Sequence, residues 1–180
     1  MKRAAKYLLA ALLPLTVLLI RPLTPLAVLM FGQEIRLSTE PVDPRDLFRG
    51  DYVTLRFSIE RLDESLVKDG SQNAISANRY TNEYIPYIYV TLSPGNDGIW
   101  RAVEISAELP ELPKEGLYLR ARVRNNTLDY GDYLKRYYVQ ENTGRELELA
   151  AQRGEIVAVA KAWMGRVVLT SLQGAKPLDP

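Results

Sequence analysis

Apolar positions fall along this chain in two different patterns. From Tyr7 to Ile20 they run together, broken only by Pro14 and Thr16, and after Arg21-Pro22 the run resumes from Leu23 to Phe31. From residue 34 onward the pattern changes to alternation. Glu34–Ser38 alternates briefly, and Val53, Leu55, Phe57 and Ile59 fall on one face with Thr54, Arg56 and Ser58 on the other. That period of two is what a half-buried antiparallel strand demands. Tyr84–Leu92 is β-branched and aromatic and reads as a strand, with Pro86 placing it at an edge or a bulge. Ser93–Gly98 is a turn by composition, and Ile99–Ser106 returns from it. Leu117–Arg124 turns Leu117, Leu119, Ala121 and Val123 inward and Tyr118, Arg120, Arg122 and Arg124 outward. Asn125–Gly131 reads as a turn, Tyr133–Gln140 as a strand, and Ile156–Trp163 with Val167–Leu172 as a hairpin around Met164-Gly165.

Helices are few in this reading. Thr143-Gly144-Arg145-Glu146 has the S/T-x-x-E form of a capping box, with Gly154 suited to the C-terminal stop. Asp63–Glu83 is polar and aperiodic and is expected to be a long loop with at most one helical turn. The fold expected is mostly β: one antiparallel sandwich or partly open barrel with one or two short helices. It would occupy residues 33–175, between an N-terminal segment over 1–32 and a tail over 176–180.

The N-terminal run spans 25 residues from Tyr7 to Phe31, where about 20 suffice to cross a bilayer. An uncleaved anchor fits that length. A cleaved signal peptide would fit basic Met1–Lys6 but lacks a small-x-small site before Gly32, and Pro14, Pro22 and Pro25 speak against a soluble helix. Lys2, Arg3 and Lys6 before the run place the N-terminus in the cytoplasm and the larger domain outside it, as a single-pass protein of the cell membrane. Arg21 within the run must snorkel or meet a partner.

Composition narrows the chemistry. The chain has no histidine and no cysteine. Thiol nucleophiles, disulfides, Cys/His metal sites and His-centred triads are therefore excluded. Beyond the N-terminal segment the chain carries 19 basic against 22 acidic residues, which offers no footprint for nucleic acid. No cofactor is indicated. Carboxylates without histidine suit Ca²⁺ or Mg²⁺, but the D-x-D-x-D-G calcium-loop spacing is absent, so no metal is expected.

The densest charge lies in Pro41–Phe57. Asp43 can cap a helical turn, Pro44 needs no amide donor at its first position, and Asp46 falls near its positive end. Val42 and Leu47 match a hydrophobic staple, and Gly50 is the natural stop. That structural account leaves Arg45, Arg49, Asp51 and Tyr52 over as a candidate binding surface, together with Asp43, Asp46 and Glu141. The competing account is an extracytoplasmic hydrolase or cation-binding domain in which Asp43, Asp46, Asp51 and Glu141 converge. A Ser/Lys pair drawn from Ser38 or Ser58 with Lys68 or Lys161 is a further hydrolytic arrangement, with no spacing to recommend it.

Gly50-Asp51-Tyr52-Val53-Thr54-Leu55-Arg56-Phe57, preceded by Pro41–Asp46, resembles the GDYXXLXY family of membrane-anchored bacterial proteins. Phe57 stands where that family has a tyrosine. Tyr137–Glu141 and Gly144–Glu148 also look like the family's second half, so the resemblance runs over roughly residues 33–175. It implies an N-terminal anchor, an uncharacterised domain and association with a multi-spanning membrane protein. No catalytic residue comes with it. The resulting expectation is a membrane-anchored binding or accessory module, held by residues 7–31.

Overall fold

Strand β1 (Gln33–Glu40) buries Ile35, Leu37 and Thr39 and leaves Glu34 and Arg36 to solvent, the side-chain alternation of a strand with one covered face. The structure, a computed structural model, describes residues 12, 14–16, 18, 20–40, 52–80, 87–124, 126–138 and 156–174. Within them β1 is central to its sheet. It pairs antiparallel with β9 (Ile156–Trp163) on one side, Ile35 opposite Ala160, and with β3 (Arg56–Phe57) on the other. Strand β10 (Arg166–Gly174) completes the order β10-β9-β1-β3.

A second antiparallel sheet has the order β5-β4-β6-β7, from β4 (Ile88–Pro94), β5 (Trp100–Ser106), β6 (Leu117–Arg124) and β7 (Thr127–Asp129). The fold is thus mostly β, with two curled antiparallel sheets and few short helices. One core joins them: Ile35, Leu37, Ala158 and Ala160 from the first sheet, Val90, Leu92, Leu119 and Val123 from the second. Each large apolar side chain so buried contributes about 1.5–3 kcal/mol. A two-stranded ribbon of β2 (Tyr52–Thr54) and β8 (Arg136–Tyr138) stands apart from both sheets.

The alternation read over 53–59 is real in its burial: Leu55, Phe57 and Ile59 are all buried. It is not one strand, however. The chain leaves the β2–β8 ribbon at Leu55, joins β1 as β3, and closes in a single 3-10 turn at Ser58–Glu60. Burial parity survives from Leu55 onward because β3 and the turn keep their apolar residues on the core side.

Three further expectations are corrected. Asp63–Glu83 is not mainly loop: a 3-10 turn at Glu64–Leu66 precedes helix α2 (Gln72–Tyr80). The helix hangs on Ile75, which is buried, while Ser71 before it accepts the Ala107 N–H at 3.0 Å. Among its described side chains Ile75 alone is buried, and one isoleucine leaves no periodic signal to read. Asn125–Gly131 contains strand β7, paired with β6 so that Arg124 faces Thr127. Tyr133–Gln140 begins as a one-turn helix, α3 (Asp132–Lys135), before β8. There the Asp129 carboxylate accepts the Gly131 N–H at 3.0 Å, an Asx turn that redirects the chain and packs Leu134 instead of Tyr133 into the core. The helix expected from Thr143, the residues of Tyr84–Pro86 and the tail lie outside the described residues.

At the N-terminal side, the described residues between Leu12 and Ile20 are helical, Arg21-Pro22 forms a turn, and α1 (Leu23–Phe31) follows. Nine residues of helix rise about 13.5 Å. Among the described residues no helix is long and apolar enough to cross a membrane.

Candidate functional site

Of the seven residues singled out from the sequence, Asp43, Arg45, Asp46, Arg49, Asp51 and Glu141 lie outside the described residues, as does the capped turn they were read to form. Tyr52 is placed through its backbone alone, opening β2 opposite Tyr138. What the structure does place is the stretch into which that turn leads. The Leu55 N–H donates to the Lys135 carbonyl at 3.3 Å, and Leu55 and Phe57 pin the segment into the core. Arg56 between them is left exposed.

This arrangement walls a cavity of about 560 Å³. Leu55, Phe57, Leu62 and Leu128 make its apolar side, and Glu40, Arg56, Glu60, Arg61 and Lys135 bring charge to it. The pairing of β3 with β1 brings Glu40 opposite Arg56, and the Leu55–Lys135 bond brings α3 alongside.

Two carboxylates set the electrostatics. Glu60 closes its own turn, Oε2 accepting the Phe57 N–H at 3.4 Å, while Oε1 is buried without a hydrogen-bond partner among the described residues. Burial pushes the Glu60 carboxyl above its usual range; Lys135, the Phe57 N–H and Arg56 oppose this, and the charge of Asp129 adds to it. Asp129, just behind the wall, goes the other way. Burial pushes it up, but the Lys135 ammonium at 3.0 Å, the Gly131 N–H and Arg124 at 3.6 Å together hold it below the usual carboxylate range. Tyr130 donates its hydroxyl to the Ile59 carbonyl at 2.8 Å, tying β7 to the Glu60 turn, and burial raises its pKa. Lys135 therefore serves Asp129 first and screens Glu60 second.

Arg56 and Arg61 form no ion pair or side-chain hydrogen bond among the described residues. The cavity thus presents two guanidiniums without an ion pair among the described residues, beside a carboxyl group that burial favours in its protonated form. That set can grip an anionic or hydrogen-bonding group. The one described hydroxyl on its wall, Thr127, donates to the Arg124 carbonyl at 2.7 Å and is not held by a base.

No hydrogen bond joins a serine to a lysine of the Ser/Lys arrangement among the described residues. Ser38 and Ser58 face each other, Oγ to Oγ 2.7 Å, whereas Lys161 donates to the Leu29 carbonyl at 2.6 Å and Lys68 faces Glu104 at 3.7 Å. Lys161 sits opposite Glu34, four residues along β1 from Ser38 and so about 13 Å away. Arg120 and Arg122, read as a solvated face, lie over the Tyr87 ring at 5.5 and 4.8 Å, and Arg124 faces Asp129. Among the described residues no three carboxylates gather closely enough to hold a metal ion.

Glu60, Asp129, Tyr130 and Lys135 were not anticipated. Glu60 alone had a signal, three residues after Phe57 where a side chain can close a turn; the others meet it only through tertiary pairing. Compared with known families, the chain matches the profile described as GDYXXLXY protein over residues 14–172. No curated protein and no solved structure matches it.

Proposed function

From the premise that the chain belongs to the GDYXXLXY family, we propose that it is a membrane-anchored, non-catalytic β domain that binds a multi-spanning membrane protein as an accessory module. Residues 7–31 hold it in the cell membrane in a single pass, the N-terminus is cytoplasmic and the β domain is extracytoplasmic. The observation that carries the binding role is the cavity at the end of the family motif, where Arg56 and Arg61, without an ion pair among the described residues, flank the half-buried Glu60 carboxyl. Motif residues Leu55 and Phe57 build its wall, so the motif presents the site. The partner enters as an acidic segment whose carboxylate meets the guanidiniums and whose N–H reaches Glu60 Oε1.

The anchor reading is supported by α1, which holds no charged residue and exposes Leu23, Leu26, Met30 and Phe31. Affinity capture of the detergent-solubilised full chain tests the proposal. The double variant Arg56→Ala/Arg61→Ala is expected to lose about tenfold or more in recovery of the membrane partner, two charge-assisted contacts being removed. Equal recovery by a variant with native thermal unfolding would overturn it.

A further inference from the structure

Resting on the anchoring proposed above, we propose that the β9–β10 hairpin tip and the connection before β6 lie against the lipid interface beside α1. The domain then sits on the bilayer in one orientation instead of swinging from a tether. Three apolar side chains mark the surface: Phe31 is 66 % exposed, Met164 64 % and Leu112 47 %. A cleft of about 340 Å³ opens among Phe31, Leu112, Trp163 and Met164.

Met164 is the most telling of them. Met164-Gly165 is a two-residue hairpin loop with φ of 48° and 76°, a type I′ turn in which Asn-Gly is the usual choice. Gly165 is needed twice over, since a Cβ there would meet Tyr118 Cε2 at 2.7 Å, where the Gly165 carbonyl takes the Arg120 N–H. Met164 has no such excuse. A long apolar side chain is held in a left-handed conformation and presented outward, strain that a turn alone would not retain.

The occupant follows from the junction with α1. A single residue, Gly32, separates α1 from β1, and a Cβ on it would collide with the Val28 carbonyl. Val28 is fully buried, the Lys161 ammonium takes the Leu29 carbonyl at 2.6 Å, and Phe31 packs on Trp163 with ring centroids 5.9 Å apart. The helix is therefore seated on the domain at three successive points, Val28, Leu29 and Phe31, within one turn. Phe31 and Met164 line the same cleft, so whatever solvent receives Phe31 also receives Met164. A tryptophan and a phenylalanine at that level fit the aromatic belt of a membrane interface.

The chain has two tryptophans, and Trp100 is buried in the core, so Trp163 can be made the sole reporter by Trp100→Phe. The full chain would be reconstituted in phosphatidylcholine vesicles carrying a spin label either high or deep on the acyl chain. Flotation with the vesicles, and quenching of Trp163 about twofold stronger by the shallow label, is the expected result, with the shallow quenching reduced in Met164→Asp. Flotation with Trp163 unquenched by lipid and open to aqueous acrylamide would overturn the docking while leaving the anchor standing. That outcome would assign the patch to a protein partner. Failure to float overturns both. Should Trp100→Phe unfold, the difference signal between the native chain and Trp163→Phe gives the same reading.

Discussion

Glu60 and Asp129 are carboxylates of one neighbourhood whose surroundings drive them in opposite directions, and the sign of each can be carried through to stability. Asp129 is held low, so the stability it lends is present above its ordinary value of 3.8 and is lost as pH falls through its folded value. Glu60 is held high, chiefly by burial. Its contribution is complete below the ordinary value of 4.5 and is lost as pH rises through the folded value, because the fold must then keep a charge it shelters poorly. Glu60→Gln keeps an acceptor for the Phe57 N–H and removes that charge. The variant should match the native protein near pH 4 and exceed it at pH 7 by up to about 1 kcal/mol, screening at the part-exposed group limiting the gain. Thermal unfolding across pH would show this as a melting temperature raised by roughly 2–4 °C at neutral pH only.

Elements were legible where one residue type repeats on one face. Strand β6 has the bounds read from its alternation, Leu117–Arg124, and Leu119, Ala121 and Val123 are buried as expected. The β9–β10 hairpin was visible because Met164-Gly165 interrupts two β-branched runs. Helix α2 was hidden because, among its described side chains, Ile75 alone is buried, and α3 because the Asp129 side chain, not a propensity, turns the chain. The hairpin also carries a prediction. Met164→Asn puts a residue that tolerates the left-handed region at that turn, and should stabilise the isolated fold by about 1 kcal/mol in denaturant unfolding. The same change should weaken association with lipid, so stability and membrane contact part company at one position.

At the scale of the whole molecule the sequence disclosed class but not convergence. A mostly β domain follows from alternation, yet Glu40, Glu60 and Lys135 meet only because β3 pairs with β1 and Leu55 bonds to Lys135. No spacing along the chain encodes that meeting, which is why the charged turn drew attention and the cavity beside it did not. The absence of cysteine makes the proposed orientation directly measurable. A single Asp69→Cys, in the exposed turn before α2, should react with a membrane-impermeant maleimide in intact cells. Labelling that requires permeabilisation would put the domain on the cytoplasmic side. A last consequence concerns time. Strand β1 finds its main partner in β9, Ile35 against Ala160, so nearly the entire chain must leave the ribosome before its central sheet can close. Loop-closure entropy makes such pairing late and slow, and the edges of β1 stay open to other strands until then. An N-terminal segment that tethers each nascent copy to a surface would keep those edges apart during the interval when they are most prone to meet.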